Sequence, residues 1–311
     1  MECIAKKEKL LGLLAMAATL LIWASFFISL RASGQSPLTV GDIALLRFVP
    51  AALVFGILSL PKTKQIKATA KRYLLAIAIG AGLPFFLLAA NGLRLAPVAD
   101  GASLIPGILP LFVSSIAAYC YREKISNIRK LGISLIFIGI GLFITHSLSS
   151  GQHQVLQGHG LLLTASFSWA WYTIGMRVSG LSPIAGGAIL AISACLLLPV
   201  LYTMGWVEFN LMSAPTNDVI FHLCIQGIAA GIIANFSYGY AISRLGAEMS
   251  AALGSFTPVI AALMAVVIFD ESLTLTTATA MGLIVIGALS ASEIIKLRPT
   301  IIRSLAKPTN P

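Results

Sequence analysis

The sequence predicts an all-α membrane protein of ten transmembrane helices, arranged as two inverted five-helix repeats. Three observations predict it. Mean hydropathy is +0.93 and only 10% of residues are charged, which excludes an ordinary soluble domain. The apolar runs number about ten, each near the ~20 residues that cross ~30 Å of hydrocarbon. In lipid the backbone must satisfy its own hydrogen bonds, so such runs are helices; they are continuous, without the alternation of a β-barrel. Third, the chain repeats itself. Gly12, Trp23 and Arg31 recur 146 residues later as Gly158, Trp169 and Arg177, and Asp100, Pro110 and Glu123 recur 148 residues later as Glu248, Pro258 and Glu271. Five spans per copy is odd, so the second copy enters the membrane upside down, a layout shared by many secondary transporters. The expected division is 1–150, 151–296 and a basic tail over 297–311.

The expected spans follow in order. The first, 10–31, looks like a signal peptide, with Lys6, Lys7 and Lys9 before it and Ala32-Ser33-Gly34 after it. Its apolar run is too long for that, and its repeat partner is internal, so a retained helix is expected. Span 41–60 carries Arg47 and Pro50; span 73–93 carries Pro84 and Asn91; span 98–120 opens on Asp100 and contains Pro106 and Pro110. Span 130–148 is aliphatic and glycine-bearing, as is 276–295, and both are expected to support the bundle and not to line a pathway. Spans 159–178, 184–205, 219–242 and 246–268 complete the set, with Pro199 and Pro258 inside apolar runs. An internal proline removes a donor and bends the helix. Pro110 and Pro258, matched between the copies, are therefore expected to bend their helices around a central cavity.

Charge gives the chain a direction. With the N-terminus inside, cytoplasmic segments hold 18 of the 21 Lys and Arg residues, and the outer loops keep only Arg31 and Arg94. This positive-inside pattern places both termini in the cytoplasm. It also accounts for the net charge of +10 without nucleic acid. The four cysteines fall in separate segments without metal or disulfide spacing. His146, His153, His159 and His222 lack metal-ligand spacing and are expected to be solvated near the outer links.

The stretch Asp100-Gly-Ala-Ser-Leu-Ile-Pro-Gly-Ile-Leu-Pro110, running on to Tyr121-Arg-Glu123-Lys and then Gly139-Ile-Gly141, resembles the fourth and fifth spans of the EamA family of the drug/metabolite transporter superfamily. The second half repeats it from Ala247-Glu248 through Pro258, Asp270-Glu271, Gly282 and Gly287, and Trp23, Trp169 and Arg47-Phe48 also fit. The resemblance covers about residues 10–295. It implies a bacterial inner-membrane carrier with a central cavity, exporting amino acids or related metabolites.

Candidate substrate-binding residues are Trp23, Arg47, Asn91, Trp169, Asn235 and Tyr238. Arg47 is a membrane charge that must find protein, water or substrate, and it suits a carboxylate or phosphate. Its structural alternatives are headgroup contact or pairing with Asp42 or Asp100. Trp23 and Trp169 lie mid-span, where an indole N–H wants an acceptor. The polar groups of the third and eighth spans serve equally as helix-to-helix bonds. Asp100 and Glu248 open their spans, either complementing a helix N-terminus or serving as gating or coupling carboxylates. Glu123 and Glu271 are expected in loop ion pairs. No Gly-x-x-x-x-Gly-Lys loop is present, so direct use of ATP is not expected. No cofactor, metal or enzymatic activity is expected. The expected partners are a small-molecule substrate and the lipid bilayer, with homodimerisation a further candidate. The alternatives are import or exchange of a nucleotide-like or sulfonium metabolite, and a membrane-embedded enzyme.

Overall fold

The computed structural model describes residues 2–245 and 247–292, with the side chains of residues 2–7, 247, 248, 251 and 252 outside that description. The tail over 297–311 and the Glu248 side chain thus lie outside the described residues.

The described chain is all helical. Its elements are α1 (Glu2–Ala32), α2 (Val40–Leu58), α3 (Thr63–Ala68), α4 (Lys71–Gly80), α5 (Leu83–Leu95), α6 (Val98–Ala102), α7 (Leu109–Tyr121) and α8 (Asn127–Ser149). There follow α9 (His153–Ser179), α10 (Pro183–Thr203), α11 (Thr216–His222), α12 (Ala234–Leu245), α13 (Ala247–Gly254), α14 (Thr257–Phe269) and α15 (Leu275–Ala291). Helix starts carry recognisable caps. Thr39 and Asp42 form a reciprocal capping box on α2, and the side chains of Ser126, Ser182 and Thr274 accept from the first turns of α8, α10 and α15.

The expected ten-helix inverted-repeat architecture is corrected. Among the described residues seven helices are long and apolar enough to cross a membrane: Glu8–Gln35, Val40–Leu58, Lys71–Leu95, Val98–Tyr121, Asn127–Ser149, Pro183–Thr203 and Thr216–Leu245. The fold is an all-α multi-pass membrane fold of that kind. Two physical reasons account for the difference. The chain breaks at Ser255–Phe256 ahead of Pro258, leaving α14 only 13 residues, and α15 has 17. At 1.5 Å per residue, α14 is roughly 20 Å long. And α9, though 27 residues long, carries His153, Gln154, Gln157, His159, Thr164, Ser166 and Ser168 along its length.

Glycine sets the closest helix crossings. A Cβ at Gly132 of α8 would fall 2.5 Å from Gly287 O, and one at Gly287 of α15 would fall 2.7 Å from Gly132 O. The two backbones touch, as small residues in membrane helices allow. On the other side, α4 and α5 run antiparallel to α9. Gly175 packs against Tyr73 and Ala76, Gly80 against Ser168 and Tyr172, and Gly92 against Leu162 and Gly158.

Two short helices are built alike. Helices α7 and α14 each have 13 residues and each bear proline at the second position, Pro110 and Pro258. Each ends on a non-glycine residue in the left-handed region, Arg122 (φ 54°) and Asp270 (φ 52°). The next residue then returns its N–H to the helix, Glu123 to Ala117 O and Glu271 to Ala265 O. Pro258 stands at a helix start after the break at Ser255–Phe256, and Pro110 at the first turn of α7 within the continuous span Val98–Tyr121. Pro106 lies in a π-helical stretch, Ser103–Gly107, just before α7.

Candidate substrate cavity

A cavity of about 460 Å³ lies within the bundle, a size typical of small-molecule sites. Its walls include Trp23, Phe26, Phe27, Phe48, Phe55, Phe85, Trp169, Tyr172 and Tyr238, with Arg47 and Asn235 as polar members. Rings meet in pairs: Trp23 with Tyr238 at 5.0 Å between centroids, and Phe85 with Trp169 at 5.7 Å. Offset and tilted pairs of this kind hold aromatic walls in fixed orientations.

Arg47 is the cation on this wall. Its Nη1 donates to Gln226 Oε1 at 3.0 Å, and its guanidinium lies 4.9 Å from the ring centroid of Phe26 and 5.7 Å from those of Phe48 and Phe86. Aromatic faces stabilise a cation partly removed from water. Among the described residues it forms no ion pair, and Asp42 is taken up elsewhere, by Thr39 and by Asn210 N. Gln226 is fully buried in the π-helical stretch Leu223–Ile233, and its Nε2 donates to Phe26 O. Gly231 lets that stretch approach α2: a Cβ there would fall 3.3 Å from Arg47 O. The guanidinium has five donors, so most remain available to a ligand.

The other expected residues fall differently. Pro110 and Pro258 line the cavity at the starts of α7 and α14. Asn91 does not: it is exposed, and its Nδ2 is turned back to Leu87 O in its own helix. Asp100 is 5% exposed and lies outside this cavity, with its Oδ2 2.7 Å from His159 Nε2. The expectation of solvated histidines is corrected for His159 and His222. Both are 1% exposed, and His222 Nδ1 shares a 2.7 Å hydrogen bond with Ser29 Oγ. Ala288 and Ser292, at the end of α15, line the cavity, against the expectation that this segment only supports the bundle. Sequence reasoning missed Gln226 and His159. Gln226 was signalled as a lone amide within an apolar run; His159 gave no such signal, because only its packing distinguishes it from a link residue.

The two ends of the bundle differ. At one end Arg31 Nε donates to Glu271 Oε1 at 3.0 Å, and Arg31 Nη1 donates to Leu93 O and Arg94 O. Glu271 Oε2 accepts from Val98 N, and Arg94 Nη2 donates to Ser33 O and Leu38 O. None of the links tied by these bonds lines the cavity. At the opposite end the repeat-matched pair, Arg177 with Glu123 at 2.7 Å, is 47% and 39% exposed. The cavity walls reach toward this end through Tyr172, Thr173, Gly187 and Ser292.

The EamA-like transporter family matches residues 10–145 and 156–292. The chain belongs to this family. A "Probable amino-acid metabolite efflux pump" of Salmonella typhimurium is 28% identical over 183 residues, covering 56% of this chain and 60% of the relative. Its Escherichia coli K12 namesake is 24% identical over 181 residues, again 56% and 60%. The chain thus spans about 60% of the length of these curated relatives in the matched region. An "Uncharacterized inner membrane transporter YedA" of Escherichia coli K12 is 24% identical over 281 residues, 87% of each chain. A solved crystal structure shares the fold, with a TM-score of 0.59 and 17% identity over 97% of this chain and 99% of the other.

Proposed function

We propose that this EamA-family protein is a secondary transporter of the bacterial inner membrane that exports amino acids or related small polar metabolites by alternating access. The observation that carries the reading is Arg47, a cation without an ion pair among the described residues, on the wall of an otherwise aromatic cavity. A carboxylate would meet its free donors, and an apolar side group would meet the rings of Trp23, Trp169 and Tyr238. The efflux-pump description of two relatives supports the direction, and that of the inner-membrane relative supports the location. The placement of basic residues supports cytoplasmic termini.

The conformation supports a resting state closed at the Arg31 end. Arg31 and Glu271 act as the latch of that end, and Arg177 and Glu123 as the looser latch of the other. A positive wall residue disfavours a sulfonium cation and leaves a nucleotide-like anion as the second reading.

Counterflow into proteoliposomes tests this. Vesicles preloaded with L-phenylalanine, L-leucine, L-threonine or a nucleoside monophosphate are given the same labelled solute outside. Accumulation of an amino acid, weakened by Arg47→Ala, is expected. Accumulation of the nucleotide alone would favour the second reading, and no accumulation of any solute would sink both.

A further inference from the structure

Away from the cavity, the bundle buries a second polar centre. His159 lies two turns into α9 and Asp100 in the short helix α6. Their side chains share a 2.7 Å hydrogen bond, and the two residues are 1% and 5% exposed. Among the described residues, the Nδ1 atom of His159 is buried without a hydrogen-bond partner. Buried polar groups are ordinarily satisfied, and a buried carboxylate is costly unless it is paired. A structural His–Asp pair would be expected to use both ring nitrogens; this one keeps one free.

Asp100 also borders open space. A small cavity of about 110 Å³, room for several waters, lies over Asp100. Its walls include His146, Gln152, Glu271, Thr274 and Thr277, all polar and all near the Arg31 end. Close helix packing builds the centre. Gly158, next to His159, lets α9 meet α5, since a Cβ there would fall 3.0 Å from both Gly92 O and Ala96 Cβ.

We propose that Asp100 and His159 together form a proton-binding site that couples proton movement to transport. In the unprotonated state Asp100 is a carboxylate accepting from the Nε2–H of neutral His159, and the pair carries one negative charge. One proton entering through the small cavity brings the pair to zero net charge and leaves both ring nitrogens protonated. The ionisable groups facing the pair are His146 of α8 and Glu271 after α14. Arg31 of α1 holds Glu271, Arg94 of α5 is bonded to the Ser33 and Leu38 carbonyls, and His153 stands at the exposed start of α9.

The centre is joined to the substrate cavity and to the latch by short paths. Helix α6 begins at Val98, whose N–H is held by Glu271, and runs on into Ile105, Pro106 and Gly107 of the cavity wall. Two turns beyond His159 on α9, Ser166 Oγ donates to Ile105 O at 2.7 Å, and Trp169 of the same helix lines the cavity. A change of charge between α6 and α9 therefore acts on the two elements that bear both sites.

The inference rests on the transporter reading, and the experiment separates them. Proteoliposomes containing a trapped pH dye are given an L-phenylalanine gradient, with the wild type, His159→Gln and Asp100→Asn compared. Phenylalanine exchange at equal pH reports the carrier, and dye response reports the proton. We expect proton flux per phenylalanine exchanged to fall at least tenfold in both variants. Proton flux unchanged in both variants, or wild-type exchange without proton flux, overturns the proposal. Absence of wild-type exchange counts against the transporter reading for this solute and not against the site. Infrared difference spectra of the purified protein between acid and alkaline pH then decide the site alone. A signal shifted by labelled aspartate or histidine and lost in both variants supports it; a signal retained in both overturns it.

Discussion

Arg31 and Glu271, 240 residues apart, are joined at 3.0 Å with side chains only 29% and 15% exposed, whereas their repeat counterparts Arg177 and Glu123 are joined at 2.7 Å but stand 47% and 39% exposed. The difference in burial is a difference in energy. An exposed pair contributes ~0–1 kcal/mol, while breaking a part-buried, networked pair leaves charged donors without a partner and costs more. Glu271→Gln is therefore expected to lower the melting temperature in detergent clearly, by about 1–3 kcal/mol of stability, and Glu123→Gln hardly at all. Thermal unfolding of the two variants side by side checks this; equal losses would contradict it.

Arg47 should matter through its donors as well as its charge. Arg47→Ala removes charge-assisted hydrogen bonds worth about 1.5–3 kcal/mol each, so apparent affinity in counterflow should fall about tenfold to a hundredfold. Arg47→Lys keeps the charge but loses the planar fork and should fall in between. A lysine variant as active as the wild type would show that a point charge suffices there.

The aromatic walls predict a contrast within the candidate set. Trp23→Ala and Trp169→Ala each remove a ring from the cavity and should weaken phenylalanine counterflow about tenfold, a loss near the ~0.5–1.5 kcal/mol of an aromatic pair plus its buried area. Asn91→Ala should leave the same counterflow unchanged, because Asn91 faces out of the cavity and bonds to its own helix.

The contact between α8 and α15 leaves no room for side chains. Gly132→Val or Gly287→Val places new atoms against the partner backbone, and overpacking of that kind costs about 1–3 kcal/mol. Lower yield and earlier thermal unfolding are expected. Gly141→Val is the control, because among the described residues nothing lies within 4 Å of its Cβ position. Equal damage from all three would deny the close approach.

Much of this was legible in the chain. Continuous apolar runs and sparse charge define an all-α membrane fold because lipid offers the backbone no alternative. The number of spans was not legible, because a count of apolar runs registers neither the break before α14 nor the polar residues spread along α9. Arg47, Trp23, Trp169, Asn235 and Tyr238 stand out as polar or aromatic residues in apolar runs, and all five line one cavity. Asn91 satisfied the same criterion and faces elsewhere, since helix rotation is fixed by packing and not by composition. His159 stands near a link in the chain, yet Gly158 draws its helix against α5 and buries it.

The twin construction of α7 and α14 has a mechanical consequence. Each is a helical rod about 20 Å long, with a proline in its first turn and a sharp turn at its left-handed tip. The proline tips, at Pro110 and Pro258, touch the substrate space; the far tips place Glu123 and Glu271 against their arginines. Such a rod cannot tilt at one tip alone. On the transport reading proposed above, release of a carboxylate at the far tip would displace the cavity wall, and a solute pressing on that wall would load the carboxylate, with no relay of side chains between them.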